Sequence, residues 1–306
     1  MKVSNIDVTL RDGGYRNLFS FSDDYAMEHV LAMDKVGVEW IEIGYRNGSF
    51  KPIDNIGRTG ISPDDYIRAV RSFVKRECIC VMVHPRNVTL EDLAHMRRLG
   101  VDMLRFCADQ ADLPKTFEYV RVAKKLGFTV CFNLTRISRL DTRSMTHDAV
   151  VAAEAGADVV YLADSNGSMT PDRVEQLVST IRNICDCQIG FHAHDNIGLA
   201  MSNSIAALNA GATFMDSSLR GMGKGAGNLK LELWSGFLRR EFNVTQYDCA
   251  ALLDQVDKLE KTDLHARPSQ PLDDLILGML DLSVDHREKL HKNAKSVSDM
   301  LFNAEA

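Results

Sequence analysis

Short apolar runs alternate with amphipathic stretches along most of this chain, and one punctuation separates them five times. Lys35-Val36-Gly37-Val38-Glu39, Arg98-Leu99-Gly100-Val101-Asp102, Lys125-Leu126-Gly127-Phe128-Thr129, Glu154-Ala155-Gly156-Ala157-Asp158 and Asn209-Ala210-Gly211-Ala212-Thr213 each set a helix end before a glycine and an apolar strand after it. Glycine there can take the left-handed conformation that closes a helix. These glycines recur near one or two multiples of about 30 residues, the length of a βα unit. Helix starts agree with them: Ser62-Pro63 and Thr170-Pro171 each pair an N-cap with proline at N1, and Thr89 with Asp92 has the form of a capping box. Between these signals run helical stripes such as Val174, Leu177, Val178 and Ile181, or Ile197, Ala200, Met201, Ser204, Ile205 and Leu208.

The pattern predicts eight strands, near residues 3–10, 38–44, 78–84, 101–107, 128–134, 157–163, 187–192 and 212–216. Eight alternating units favour an α/β fold closed into a (βα)8 TIM barrel over an open doubly wound sheet. The barrel is expected over residues 1–240. Residues 241–306 read as a helical C-terminal extension, a lid or an oligomerisation element. Its stripes are Leu252, Leu253, Val256 and Leu259, then Leu275, Ile276 and Met279, with a break at Ala266-Arg267-Pro268-Ser269-Gln270-Pro271.

Composition narrows the function classes. With 306 residues, 45% hydrophobic and 25% charged, the chain has ordinary globular proportions. A formal net charge of −6 without a basic block speaks against a nucleic-acid or membrane-surface partner. The first residues run directly into a strand, and no apolar run reaches the roughly 20 residues that cross a bilayer, so a cytoplasmic protein is expected. Seven cysteines, including Cys78/Cys80 and Cys185/Cys187, fall mostly in or beside strands and read as buried free thiols.

Candidate chemistry gathers where strands end. Phe191-His192-Ala193-His194-Asp195-Asn196 closes strand 7, and the i, i+2 spacing puts both imidazoles on one face. Thr9-Leu10-Arg11-Asp12-Gly13-Gly14-Tyr15 closes strand 1. In a barrel all strand C-termini share one mouth, so Asp12 meets His192 and His194. One oxygen and two nitrogens suit a divalent cation, Mn²⁺, Mg²⁺, Co²⁺ or Zn²⁺. Arg11, beside that carboxylate, can hold a substrate carboxylate or steady an enolate oxygen; a structural salt bridge is the plainer reading. Asp164 and Ser165 either face the mouth or form a cap and turn. The alternating glycines of Gly221-Met222-Gly223-Lys224-Gly225-Ala226-Gly227 allow close backbone approach to a ligand, Gly223 and Gly225 included. Further ionisable residues at strand ends are Glu42, Tyr45, Arg46, His84, Arg86, Arg105, Arg136 and Arg139. Lone loop arginines are commonly solvated, but several on one rim suggest an anionic acceptor.

Four motifs together, Thr9-Leu10-Arg11-Asp12-Gly13, Ala163-Asp164-Ser165-x-Gly167, His192-Ala193-His194-Asp195-Asn196-x-Gly198 and Gly221-Met222-Gly223-x-Gly225-Ala226-Gly227-Asn228, resemble those of the DRE-TIM metallolyases, the HMG-CoA lyase-like superfamily. Within it the chain is most similar to the catalytic domain of the 4-hydroxy-2-oxovalerate aldolases, over roughly residues 5 to 235. The resemblance implies a divalent cation on Asp12, His192 and His194 and an Arg11 that stabilises pyruvate enolate. Two departures stand out. Tyr15 occupies the place of a family histidine that acts as acid/base, which leaves Tyr15 or His84 for that work. The C-terminal region differs from the domain with which those aldolases dock a dehydrogenase, so that partner is not expected. The lysine carried by the carboxyltransferase branch is missing from Val130-Cys131-Phe132-Asn133-Leu134.

The expectation is a class II, metal-dependent aldolase-type lyase or synthase. It takes a 2-oxo acid and an aldehyde as substrates and forms a homodimer or higher homo-oligomer. Arg11, Ser165, Arg136, Gly223 and Gly225 are expected to bind substrate. The rivals are a Claisen-type acyl-CoA lyase or synthase of the same superfamily and a non-catalytic barrel used for binding.

Overall fold

A computed structural model describes residues 3–108, 110–262, 264 and 271–305. Eight parallel strands close in chain order into one barrel. They are β1 (Ser4–Asp7), β2 (Trp40–Tyr45), β3 (Ile79–Val83), β4 (Met103–Cys107), β5 (Thr129–Thr135), β6 (Val159–Asp164), β7 (Gln188–Ala193) and β8 (Phe214–Ser217). Closure comes from β1 on β8, with Ser4 opposite Phe214 and Asp7 opposite Ser217. Each predicted strand overlaps an observed one, because glycine punctuation marks where a helix must stop. Gly37, Gly100, Gly127, Gly156 and Gly211 all have positive φ, between 81° and 106°.

The outer ring follows the same signals. Its helices are α1 (Asp23–Val36), α2 (Arg58–Ile61), α3 (Asp64–Phe73), α4 (Leu90–Leu99), α5 (Leu113–Lys125), α6 (Thr142–Glu154), α7 (Pro171–Arg182) and α8 (Ala200–Ala210). Thr89 and Asp92 form the expected capping box, and Thr170 precedes Pro171 at the start of α7. At α3 the cap shifts by one residue: Pro63 is the N-cap and Ser62 has a left-handed φ. The α7 stripe of Val174, Leu177, Val178 and Ile181 is at most 1% exposed. Such burial stabilises by roughly 1.5–3 kcal/mol per side chain before entropy is counted.

Strand parity divides the core in two. Outward residues such as Ile43, Val81, Phe106, Phe132 and Leu162 pack on the helices, while Ile6, Cys80, Met103, Cys131, Val159, Tyr161 and Phe214 fill the barrel's lower interior. None of the seven cysteines is in a disulfide, and burial raises the Cys78 thiol to about 11.

After the barrel come α9 (Leu231–Phe242), α10 (Cys249–Glu260), α11 (Leu272–Met279), α12 (Arg287–His291) and α13 (Val297–Glu305). Two stripe expectations need correction. Leu253 is 57% and Met279 64% exposed, whereas Leu252, Val256, Leu259, Ile276 and Leu277 are buried. On α11 the buried face runs through Asp274 and Gly278, a polar and a small position that an apolar count passes over. Of the expected break, residues 266–270 lie outside the described residues. Loop polar groups dock this extension over the β6 and β7 ends. Asn196 Nδ2 donates to the Asp274 carbonyl (3.1 Å), and Asn166 Nδ2 and Ser168 Oγ donate to Asp281 Oδ1 (2.8 and 2.6 Å). Among the described residues no helix is long and apolar enough to cross a membrane.

Candidate active site at the barrel mouth

Asp12, His192 and His194 converge where β1 and β7 end, with one ligand atom from each inside a 4.8 Å span. All three are at most 6% exposed. His192 Nδ1 donates to Asp216 Oδ2 (2.9 Å) and His194 Nδ1 to the Gly227 carbonyl (3.3 Å). Those bonds fix the tautomers and leave both Nε2 atoms facing each other at 3.2 Å. Two nitrogen lone pairs held that close are satisfied by a shared cation. His194 Nε2 is 4.0 Å from Asp12 Oδ2. Burial, moderated by Asp12, lowers the His194 pKa to about 4, so its ring is a neutral donor. Although burial opposes it, the charge of Arg11 and the hydrogen bond from Asn228 hold the Asp12 carboxyl well below its ordinary range. The donor set fits a divalent cation.

The Asp12 carboxylate is held from three sides. Arg11 Nη1 donates to Oδ1 (2.5 Å), while Asn228 Nδ2 (2.9 Å) and the Lys224 N–H (3.2 Å) donate to Oδ2. Arg11 Nε in turn donates to Glu42 Oε2 (2.6 Å). Glu42 Oε1 accepts from Arg105 Nη1 (3.2 Å), and Arg105 Nη2 donates to Asp216 Oδ2 (2.6 Å), which also receives His192. A chain of hydrogen-bonded charged groups thus crosses the barrel interior from Asp12 to His192. Glu42, Arg105 and Asp216 are each at most 1% exposed. Despite burial, Glu42 and Asp12 raise the Arg11 pKa, and Asp216 and Glu42 raise that of Arg105.

The other wall of the mouth is aromatic. Tyr15 donates to or accepts from Tyr45 (3.2 Å) and Ser49 through its hydroxyl, and its ring meets Phe19 edge-on at 5.0 Å. Gly14 permits that approach, since a Cβ there would lie 2.3 Å from the Phe19 ring. Burial raises the Tyr15 pKa, so the phenol stays protonated at neutral pH. His84 stacks on Tyr45 at 5.5 Å. Tyr15, His84, Arg11 and the triad line one cavity of about 560 Å³ together with Ser165, Arg136, Lys224 and Asp285.

Comparison with known proteins places this geometry. The HMGL-like family model matches residues 2–258. The chain belongs to the HMGL-like family. A 4-hydroxy-2-oxovalerate aldolase of Carboxydothermus hydrogenoformans is 30% identical over 258 residues, 84% of this chain and 77% of that one. The N-terminal domain of a Bacteroides vulgatus protein assigned as an aldolase superposes with a TM-score of 0.83 at 28% identity, covering 96% of this chain and 97% of that one. HMG-CoA lyase of Bacillus subtilis shares the fold with a TM-score of 0.72 at 18% identity, over 85% and 93% of the two chains. This HMGL-like protein is an aldolase-type lyase of a divalent-metal-dependent family.

Some expected site residues of the HMGL-like barrel sit elsewhere. The Asp164 carboxylate accepts from the Ser168 and Met169 N–H groups (3.2 and 3.0 Å), the cap-and-turn reading, and burial raises its pKa to about 6. Ser165 lines the cavity, its Oγ accepting from the Arg136 N–H (2.9 Å). Gly223 and Gly225 are not among the cavity-lining residues; Lys224 between them is. The glycines serve packing instead: a Cβ on Gly223 would lie 2.5 Å from Asn228, and Gly225 has φ +65°. Of the expected arginine rim, only Arg136 and Arg139 line the cavity. Arg46 binds Asp64 and the Ser62 carbonyl, Arg86 binds the Phe50 carbonyl, and Arg105 lies inside the barrel. Asp216, Lys51 and Asp285 escaped the sequence reading, and Asn228 stood in a motif without an assigned role. Asp216 carried a usable signal, a carboxylate at inward parity in Phe214-Met215-Asp216.

Proposed function

We propose that this HMGL-like lyase makes or breaks the bond between C3 of a 2-oxo acid, pyruvate first, and the carbonyl carbon of an aldehyde. The observation that supports it is the triad Asp12, His192 and His194 with Arg11 beside it on the wall of one cavity. A divalent cation in the triad, manganese in this reading, supplies Lewis acidity to the keto oxygen of the bound acid. Arg11 contributes fixed positive charge near that oxygen, its plane held by Glu42 and Asp12. In cleavage, His84 takes the proton of the 4-hydroxyl, the C3–C4 bond breaks, the aldehyde leaves, and a proton returns to C3 to give pyruvate. Tyr15, kept protonated by burial, donates a hydrogen bond to the aldehyde oxygen rather than acting as base. Ser165 and Arg136 contact substrate beside it. The extension acts as a lid, since Ser283, Val284 and Asp285 line the cavity.

Enolisation can be tested without the acceptor. Manganese-loaded protein incubated with pyruvate in D₂O, chelated and examined by NMR, should show deuterium in the methyl group. No exchange above the protein-free rate overturns the reading, and exchange only with a CoA thioester present assigns the site to Claisen chemistry.

A further inference from the structure

Three cations of the barrel mouth surround one carboxylate of the C-terminal extension. Lys51 Nζ is 3.0 Å from Asp285 Oδ1, and Arg136 Nη2 is 3.3 Å from Asp285 Oδ2. Lys224 adds its charge to the same group, and all four residues line the cavity that holds the triad. Lys51 follows β2, Arg136 follows β5 and Lys224 follows β8, so separate loops deliver them to one place. Val284 beside Asp285 packs near Gly225, bringing the extension down onto the glycine loop. The balance is uneven: three cations face one anion there. Arg139 lies on the same rim as a separate pair, 3.7 Å from Asp281.

We infer that Lys51, Arg136 and Lys224 form the subsite for an anionic group on the aldehyde acceptor, a carboxylate or a phosphate, and that Asp285 fills it in the substrate-free protein. This rests on the aldolase reading above and names its substrate class. The occupant is easily displaced. The Lys51 and Arg136 side chains are 62% and 46% exposed, and ion pairs that open to water contribute little. A substrate anion brings the same charge and releases the extension segment that closes over the cavity. Lys224 is the firmer part of the subsite. It is half-buried, and its ammonium lies 5.3 Å from the Tyr15 ring centroid. The anion is thereby tied to the same molecule whose oxygen Tyr15 addresses.

Asp285→Asn removes the competing carboxylate and keeps its shape, while Lys51→Ala/Arg136→Ala removes two of the cations. Calorimetric titration with inorganic phosphate and with succinate reads the subsite directly. Asp285→Asn should bind the preferred anion about fivefold or more tighter than wild type, and the double variant about tenfold weaker. Whether phosphate or succinate gains more identifies the group. In turnover with pyruvate, the preference for anionic over neutral aldehydes should fall at least about tenfold in the double variant. Equal anion affinity in all three proteins, or a wild type that prefers neutral aldehydes, overturns the inference. Absent pyruvate exchange in wild type alongside anion binding that responds to Asp285→Asn would overturn the aldolase reading and leave the anion subsite standing.

Discussion

Two sets of ion pairs meet in this molecule, and their surroundings give them opposite characters. Inside the barrel, Asp12, Arg11, Glu42, Arg105, Asp216 and His192 form an alternating chain whose side chains are at most 6% exposed. At the rim, Lys51, Arg136 and Arg139 pair with Asp285 and Asp281, with side chains 29–62% exposed. Buried charges are costly to desolvate and costlier still to leave alone, so the inner chain permits one arrangement. Exposed pairs contribute little and exchange partners freely. The inner set holds Asp12, His192 and Arg11 in place; the outer set leaves its partners free to exchange.

Removing a triad histidine, His192 from the inner set or His194 beside it, should have the largest consequence. His192→Ala or His194→Ala should lose tight metal retention and lower turnover by at least about four orders of magnitude, roughly 5 kcal/mol of transition-state stabilisation. Circular dichroism should report an intact fold. Full activity at limiting metal would remove the triad from the account.

Breaking the chain at its centre tests whether it is a single unit. Arg105→Met leaves Glu42 with Arg11 alone and Asp216 with His192 alone, and should destabilise the protein by about 3–5 kcal/mol in urea unfolding. Metal affinity should fall with it, because Asp216 orients His192. An unchanged midpoint would mean the carboxylates find other partners.

Arg11→Lys keeps the charge but cannot reach Glu42 and Asp12 with one planar fork. Turnover should drop at least about 100-fold, the scale of one lost transition-state donor. A normal rate with a lowered melting temperature would mark Arg11 as a structural bridge.

The outer set should barely register. Arg139→Ala removes one exposed partner of Asp281 and should change stability by less than about 0.5 kcal/mol. A loss of several kcal/mol there would erase the distinction between the two sets.

The sequence carried the barrel and the triad because both depend on local periodicity. Glycines at helix ends set the units, strand parity put His192 and His194 on one face, and a common mouth brought Asp12 to them. It did not carry the inner chain. Glu42 and Arg105 were visible as strand-end charges, yet their pairing across the barrel depends on register and tilt between strands distant in sequence. Asp216 appears as one carboxylate in an apolar run, with nothing local to reveal that it serves both Arg105 and His192. The glycine loop was legible only in part. Its glycines allow the loop to fold tightly on itself, and the residue it presents to the cavity is Lys224. Asp285 belongs to the extension, where nothing in the local pattern indicates docking onto the mouth.

The most direct measurement is pyruvate methyl exchange in D₂O as manganese is added stepwise to metal-free protein. The triad predicts a rate that rises linearly and breaks at about one equivalent per chain, with His194→Ala flat across the same range. Exchange at full rate in metal-free protein, or an undiminished titration in His194→Ala, would contradict the account.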